Sequence, residues 1–141
     1  MKVFVRPNID VEDFEVKGKN KKRGNSLTLK ENHEYVVKGF AQDIYGTYYK
    51  LSGKQLPFST QCFFISDIGG DAIYIQVNVY IIIDLNPKKI PKDTLNPAKD
   101  LELRHHYRVK RAFYDRRGWM FELVGFKHPV LQKYMDVSRV N

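Results

Sequence analysis

The chain contains an internal repeat, and this repeat constrains the fold more than any other feature of the sequence. Residues 31–66 align with residues 103–138 without a gap, at an offset of 72 positions, and ten of the 36 aligned pairs are identical. Ordinary residue frequencies give roughly two or three identities by chance over such a length. The sequence therefore predicts two copies of one module. The identical pairs are His33/His105, Tyr35/Tyr107, Val37/Val109, Lys38/Lys110, Asp43/Asp115, Gly46/Gly118, Leu51/Leu123, Gly53/Gly125, Pro57/Pro129 and Ser66/Ser138.

The same offset of 72 positions also matches the segments that precede the aligned residues in the two copies. Apolar residues there occupy alternate positions, as in a strand with one buried face. The glycine-rich stretch Ile68–Ala72 is typical of a flexible linker. We therefore expect one module over residues 1–68, a linker at 69–72 and a second module over residues 73–141. The alternating residues are Val3, Val5, Pro7, Ile9 and Val11 in the first copy and Ile75, Val77, Val79, Ile81 and Ile83 in the second.

Each copy is predicted to contain four main strands. Aromatic residues make up 13% of the chain, a content that favours strands. In each copy, the second and third strands are separated by an Asp and a Gly with two residues between them. These are Asp43 and Gly46 in the first copy and Asp115 and Gly118 in the second. This is the preference of a type I turn, in which the glycine supplies a positive φ. The predicted strands of the two copies are Lys2–Glu12 and Ile73–Asp84, Tyr35–Phe40 and Tyr107–Phe113, Thr47–Leu51 and Trp119–Leu123, and Cys62–Ile65 and Tyr134–Val137.

This order of elements resembles that of small SH3-like barrels, including the single and tandem copies found in bacteriophage and bacterial proteins. The resemblance is carried by Tyr-x-Val, a hairpin with Gly, aromatic-x-Leu-x-Gly, and Pro before an apolar final strand. It implies an all-β chain that duplicates an SH3-like barrel of about 70 residues, as a pseudo-two-fold tandem. The long first strand and the basic loop after it exceed the usual SH3 plan, so a variant barrel or one sheet joining both copies stays open. A fold of this kind does not fix a function.

The composition limits the compartment and the partners. A formal net charge of +8 and a pI near 9.5 predict an acidic partner, such as nucleic acid or an acidic protein surface. Cys62 is the single cysteine and cannot form an internal disulfide, which fits a reducing compartment. The N-terminus has no apolar run long enough for a signal peptide, and the most apolar stretch, Ala72–Leu85, is too short to span a bilayer. We therefore expect a soluble cytoplasmic protein with no membrane partner.

The sequence shows no signature of a catalytic or cofactor site. A nucleophile elbow, a phosphate loop, a dinucleotide fingerprint and His-Glu-x-x-His are all absent. His105 and His106 are neighbours in a predicted strand, so they point to opposite faces and cannot chelate one ion together. His33 matches His105, which indicates a shared structural role, and Cys62 aligns with Tyr134 and is predicted to pack in the core. We expect no enzyme activity, no metal and no cofactor.

The two copies differ most along the second strand and the hairpin of the second copy. In a strand that starts at Arg104, Tyr107 and Val109 are expected to face the core, which turns four alternating side chains outward: those of Arg104, His106, Arg108 and Lys110. Basic side chains beside aromatic rings suit nucleic-acid binding, although Arg and Trp are also enriched at protein-interface hot spots. The predicted binding residues are Arg104, Arg108, Lys110, Arg111, Tyr114, Arg116, Arg117 and Trp119.

Two other interpretations of these residues stay open. Trp119 could instead fill the core with Phe121 and Leu123, which lie on the same face of the strand. The arginines could simply form a solvated surface. The basic loops are a second candidate for partner binding, and hydration of a charged loop explains them equally. Their residues are Lys17, Lys19, Lys21, Lys22 and Arg23 in the first copy and Lys88, Lys89 and Lys92 in the second.

These observations favour a non-enzymatic tandem binding protein, encoded by a bacteriophage and acting in the host cytoplasm. The leading hypothesis is nucleic-acid affinity through the basic second copy. The alternatives are a protein-binding factor that docks on a host enzyme or defence complex, or a structural virion component. In the protein-binding case, Trp119, Tyr114 and an exposed Tyr45 or Tyr48 would anchor the interface. The oligomeric state is left open.

Overall fold

The described part of the chain is built from antiparallel β-strands. A computed structural model describes residues 1–6, 29–30, 33–69, 75–79 and 89–140. The predicted all-β fold class is confirmed by the ten strands that lie within these ranges. The strands are β1 (Lys2–Val5), β2 (Glu34–Asp43), β3 (Gly46–Leu51), β4 (Phe58–Ser59), β5 (Phe63–Asp67), β6 (Ile75–Val79), β7 (Tyr107–Asp115), β8 (Gly118–Leu123), β9 (Val130–Leu131) and β10 (Met135–Val140).

The chain divides into two compact units, Met1–Gly69 and Gly70–Asn141, here called unit 1 and unit 2. The sheet of unit 1 has the strand order β4-β3-β2-β1-β5, and that of unit 2 has the order β9-β8-β7-β6-β10. In each unit the first strand therefore pairs with both the second strand and the last. When the strands of each unit are numbered from its own first strand, the two sheets have the same strand order, 4-3-2-1-5.

The hairpin of each unit closes on the residues that the sequence predicted. Asp43 pairs with Gly46 and Asp115 pairs with Gly118, so two residues form each tip. Gly46 has a φ of 146° and Gly118 a φ of 118°, conformations that side-chain-bearing residues rarely adopt. The prediction of a tight turn with glycine at positive φ is confirmed in both units.

The repeated aspartate of the turn holds the tip through its side chain. Asp43 Oδ1 accepts a hydrogen bond from the Tyr45 backbone N–H at 2.8 Å, and Asp115 Oδ1 accepts one from the Arg117 N–H at the same distance. A side-chain acceptor two residues before the donor is the Asx turn that favours Asp at this position. The identity of this pair in the alignment therefore has a structural cause.

A β-bulge interrupts the second strand of each unit at equivalent positions. In β2 the register shifts between Val37 and Gly39, and in β7 it shifts between Val109 and Arg111. A bulge places two residues opposite one and bends the strand. The alternation of side chains between the two faces of the strand is therefore interrupted at each bulge.

Several boundaries differ from the sequence-based expectation. Strand β7 begins at Tyr107, and Arg104 lies in the turn before it with a φ of 62°. That left-handed conformation is incompatible with a β-strand. The start of the predicted range Tyr107–Phe113 is therefore confirmed, whereas the expectation that the strand already includes Arg104 is wrong, and the Arg104 side chain is exposed in the turn. The predicted extensions of the first strands, residues 7–12 and 80–84, lie outside the described residues.

The last strands start one residue later than predicted because a 3-10 turn precedes each of them. This turn spans Thr60–Cys62 in unit 1 and Gln132–Tyr134 in unit 2, after the two-residue strands β4 and β9. In unit 1, Ser59 Oγ accepts a hydrogen bond from the Gln61 N–H at 3.3 Å and caps the turn. Such a short element has no periodicity that a sequence pattern can reveal.

The core of unit 1 is largely aromatic. Tyr49 is fully buried and its ring lies 6.0 Å from the ring of Phe40 and 5.7 Å from that of Phe63, measured between centroids. Phe58 packs edge-on against Phe63 at 6.4 Å. These edge-to-face contacts lie in the range that aromatic pairs prefer. They join β2, β3, β4 and β5 into one core.

In unit 2 the loop before β7 adds a second apolar cluster. Met120 is fully buried and packs with Leu131 and Tyr134, and Ile90 and Phe113 pack against this group. Since Phe121 on the opposite face of β8 is also buried, this strand is covered on both sides. The loop that contains Ile90 is thereby held on the Met120 face of the hairpin.

Candidate functional site

The bulge in β7 places two consecutive basic side chains on one face of the hairpin. Strict alternation from Val109 would turn Arg111 to the buried side, but Arg111 pairs with Glu122 after the register shift. Arg111 Nε lies 3.3 Å from Glu122 Oε2, and Lys110 Nζ lies 3.5 Å from Oε1 of the same carboxylate. The side chains of Lys110 and Arg111 are 68% and 63% exposed. Both therefore reach solvent on the Glu122 side.

Arg108 belongs to the same face. It is exposed and lies next to the buried Val109, so alternation places it on the side of Lys110. We call Arg108, Lys110 and Arg111 the basic face. The outward orientation that the sequence predicted for Arg108 and Lys110 is confirmed by their exposure.

Glu122 offsets only part of the charge of the basic face. One carboxylate faces the two cations of Lys110 and Arg111, so this part of the face keeps a net positive charge. Ion pairs this exposed contribute at most about 1 kcal/mol, so a phosphate can compete for the same cations. The Arg111 guanidinium also lies over the Phe113 ring, 4.3 Å from its centroid. This cation–π contact restricts the arginine and places it on the Phe113 side of the strand.

Part of the basic loop of unit 2, the second candidate for partner binding, is anchored on the Phe113 side of the hairpin. Ile90 packs against the cluster of Met120, which pairs with Phe113 across the hairpin. Lys89 and Lys92 flank Ile90 closely in the chain, and both are exposed. The structure therefore anchors Ile90, between the two lysines, on the face that carries Arg111. The other predicted loop residues, Lys17, Lys19, Lys21, Lys22, Arg23 and Lys88, lie outside the described residues.

The two arginines at the hairpin tip have different environments. Arg116 is exposed. Arg117 binds Asp115 through Nη2 at 2.7 Å and through Nε at 3.1 Å, and its Nη1 donates to the Asp93 carbonyl at 3.0 Å. The Arg117 guanidinium lowers the pKa of the Asp115 carboxyl, and that carboxylate raises the pKa of Arg117. Arg117 thus links the tip to the preceding loop, a structural role that the sequence did not indicate.

The aromatic residues of the predicted site lie on the opposite face of the hairpin. Tyr114 pairs with Trp119 across the strands, and their ring centroids are 5.0 Å apart at an interplanar angle of 53°. Tyr114 is 65% exposed. Trp119 shares the face of the buried Phe121, as the core interpretation requires, but its own side chain is only half-buried. The structure therefore separates the predicted residues into a basic face and an aromatic pair.

The equivalent hairpin of unit 1 has an apolar tip. Ile44 and Tyr45 replace the two arginines and are 91% and 59% exposed. Tyr48, expected as an exposed anchor in the protein-binding hypothesis, is buried at 4%. The hypothesis named Tyr45 or Tyr48, and Tyr45 is the exposed one, since the Tyr48 hydroxyl donates to Asp43 Oδ1 at 3.1 Å. Burial and this carboxylate raise the pKa of Tyr48 to about 12.

The repeated histidines occupy matching structural positions. The His33 ring lies 4.7 Å from that of Tyr35, and the His105 ring lies 4.7 Å from that of Tyr107. The shared structural role inferred from the alignment is consistent with these contacts. Among the described residues, no group of three or more His, Cys, Asp or Glu is placed to hold a metal ion.

Cys62 is a core residue, as predicted. It is fully buried, and burial raises the pKa of its thiol to about 12. A thiol with such a high pKa is protonated at neutral pH and is a poor nucleophile. Cys62 therefore packs in unit 1 and adds nothing to the candidate site.

The comparisons with known proteins give no relative for this chain. No protein-family model, no curated protein and no solved structure matches it. No helix in the described ranges is long and apolar enough to cross a membrane.

Proposed function

We propose that the chain is a non-enzymatic binding protein made of two SH3-like barrels, and that unit 2 binds nucleic acid. The barrel assignment is supported by the pairing of the first strand with both the second and the last, around a short antiparallel sheet. The bulged second strand supports it as well, because bulges supply the bend that a small closed sheet needs. The turn and the bulge of each hairpin lie at matching positions of the two units, 72 residues apart, and this supports a duplication.

The basic face carries the nucleic-acid proposal. Arg108, Lys110 and Arg111 present three exposed cations along one strand, and Lys89 and Lys92 are exposed in the loop whose Ile90 packs against the Met120 cluster. Cations in such a row neutralise successive phosphates and release condensed counterions. Binding through this face is therefore expected to weaken steeply as salt increases.

The two faces of the hairpin favour a single strand over a duplex. A duplex is stiff over about 150 base pairs, so it meets one face of the hairpin and leaves the other in solvent. A flexible single strand can place phosphates on the basic face and turn a base onto the exposed ring of Tyr114 around the tip. Arg116, exposed between the two faces, lies where the strand would turn.

The test removes equal charge from each unit. One variant carries Arg108→Gln, Lys110→Gln and Arg111→Gln, and the matched control carries Lys2→Gln, Lys38→Gln and Lys50→Gln in unit 1. Fluorescence anisotropy with single-stranded and duplex oligonucleotides is measured from about 50 mM to 200 mM salt. The unit 2 variant is expected to bind the single strand at least about tenfold more weakly, with a salt slope smaller by about 2.

Three results would count against the proposal. The absence of any oligonucleotide binding at about 50 mM salt would remove nucleic acid as the ligand. Equal weakening by the two triple variants would show that net charge, and not the basic face, drives binding. Tighter binding to the duplex would keep the basic face as the site and overturn the preference for a single strand.

The exposed apolar tip of unit 1 supports a second candidate function, docking on a protein. Ile44 and Tyr45 are side chains of the kind that anchor interfaces, and they project together from one turn. In this case the chain acts as a bacteriophage factor on a host protein with an acidic surface, or as a virion component. Ile44→Ser and Tyr45→Ser would abolish capture of such a protein and leave oligonucleotide affinity unchanged. Light scattering tests the virion alternative, which requires a stable higher oligomer.

A further inference from the structure

Unit 1 contains an open groove that the candidate site does not use. Its volume is about 390 Å³, within the range of ligand sites in proteins. The start of β2 forms one wall and the turn after β3 forms the other. Its lining residues are Lys30, His33, Glu34, Tyr35, Val36, Ser52, Gly53 and Lys54.

The groove has an excess of positive charge. Lys30 and Lys54 line it, and Lys54 Nζ lies over the Tyr35 ring at 5.7 Å from the centroid. Among the described lining residues Glu34 is the one carboxylate, and Lys2 Nζ lies 3.8 Å from its Oε1. Since Lys2 offsets much of the Glu34 charge, the described lining as a whole is positively charged.

The backbone of the groove is shared by both units, whereas its charge is not. The Lys30 N–H donates to the Tyr35 hydroxyl at 3.0 Å, and at the matching position of unit 2 the Glu102 N–H donates to the Tyr107 hydroxyl at 2.8 Å. Phe126 stands where unit 1 has Lys54, and its ring packs edge-on against Tyr107 at 5.6 Å. At these two positions unit 2 therefore has an acid and an apolar ring in place of two lysines.

The donor set favours a phosphate group over a carboxylate. Two lysine ammonium groups, the His33 ring and the Ser52 hydroxyl come from separate parts of the lining. A phosphate has several acceptor oxygens pointing in different directions and so matches dispersed donors, whereas a carboxylate is matched best by the planar fork of arginine. The described lining contains no arginine.

We propose that the groove between the start of β2 and the turn after β3 is a phosphate-binding site, selective for unit 1. The ligand is either free phosphate or the phosphate of a nucleoside monophosphate, since both present the same group to Lys30 and Lys54. Ser52 contributes a hydroxyl donor, and at Gly53 no side chain projects from the wall formed by the turn after β3. The site is independent of the basic face of unit 2.

The experiment exchanges residues between matching positions of the full chain. Amide resonances in a phosphate-free buffer are followed by two-dimensional NMR during titration with inorganic phosphate, a nucleoside monophosphate, or acetate. The loss variant carries Lys30→Glu and Lys54→Phe, which are the residues of unit 2. The gain variant carries Glu102→Lys and Phe126→Lys. Lys54→Gln serves as a milder loss variant, should Lys54→Phe perturb the fold.

Phosphate is expected to shift the amides of Val36 and Gly53 in a saturable manner, and the loss variant is expected to bind at least about tenfold more weakly. The gain variant is expected to show matching shifts at Arg108 and Gly125. Tighter binding of the monophosphate identifies a nucleotide as the source, and equal affinity identifies free phosphate. Equal shifts with acetate, or phosphate shifts that survive in both loss variants, would overturn the site. Oligonucleotide affinity of the loss variant stays unchanged, so this result is separable from the function proposed for unit 2.

Discussion

The β2–β3 hairpin of unit 1 and the β7–β8 hairpin of unit 2 share a backbone and differ in what they present to solvent. Both close on an Asp–Gly pair, both have an aspartate carboxylate bound to the N–H two residues later, and both carry a bulge at the same offset. The tip of the first is Ile44-Tyr45 and that of the second is Arg116-Arg117. The shared residues are those that set φ angles and turn hydrogen bonds.

The difference indicates where function can lie in a chain with two similar units. The residues that set the geometry of the turn are identical in both units. Exposed positions have no such constraint, so Val36 can stand where Arg108 does, and Gln42 where Tyr114 does. Arg108 and Arg111 of the basic face, Tyr114 of the aromatic pair and Lys30 of the groove occupy positions of this second kind.

The largest expected effect tests whether the two cores are equivalent. Tyr49 and Phe121 are matching residues and are both buried, so Tyr49→Ala and Phe121→Ala are each expected to lower the free energy of unfolding by about 3–5 kcal/mol. Hydrogen exchange resolved by residue shows which unit loses protection. Lys50→Ala, at an exposed neighbouring position, is the control and is expected to change stability by less than about 0.5 kcal/mol. A loss below about 1 kcal/mol in either unit would break the equivalence.

The second prediction concerns the aromatic pair that only unit 2 has. Replacement by the residues of unit 1, as Tyr114→Gln with Trp119→Thr, is expected to weaken binding of a single-stranded oligonucleotide by about 1–3 kcal/mol, because a stacking surface is lost. Anisotropy at constant salt measures this change. The salt slope stays the same because no cation is removed. Gln42→Ala in unit 1 is the control, and an equal loss there would contradict a role for the pair.

The smallest effect compares the two turn aspartates. Asparagine keeps the acceptor for the turn N–H, so Asp43→Asn is expected to cost little, whereas Asp115→Asn also weakens the Arg117 ion pair and costs about 1 kcal/mol. Thermal unfolding at neutral pH measures both. Equal costs would show that the Arg117 contacts add nothing to the turn.

The stability of unit 2 is expected to depend on pH through the ion pair between Asp115 and Arg117. Because the Asp115 pKa is lowered in the folded chain, its contribution is fully present above the ordinary carboxyl pKa of about 4 and is lost as the pH falls through the folded value. Asp115→Asn removes this contribution and is expected to flatten the loss of stability below about pH 4. An unchanged acid slope in the variant would contradict the assignment.

The sequence predicted the hairpin turns and the core residues, but it did not predict on which face of the hairpin each residue of the candidate site lies. Asp and Gly at fixed spacing predict the turn because few residues tolerate a positive φ, and Val109 and Leu123 predict the core by alternation. The bulge has no such signature: Gly39 stands at its second position in unit 1 and Arg111 in unit 2. The alternation pattern therefore could not assign Arg111 to its face.

The roles that depend on distant residues were equally hidden. Arg117 looks like a free surface arginine until the loop brings the Asp93 carbonyl within 3.0 Å. In the groove of unit 1 the Lys54 ammonium lies over the Tyr35 ring, whereas in unit 2 the Phe126 ring packs on Tyr107. The sequence alone determined the repeat, the turns and the strand periodicity, since these depend on the local conformational preferences of each residue. The tertiary structure decided which charges lie together, because that depends on register, bulges and packing between segments far apart in the chain.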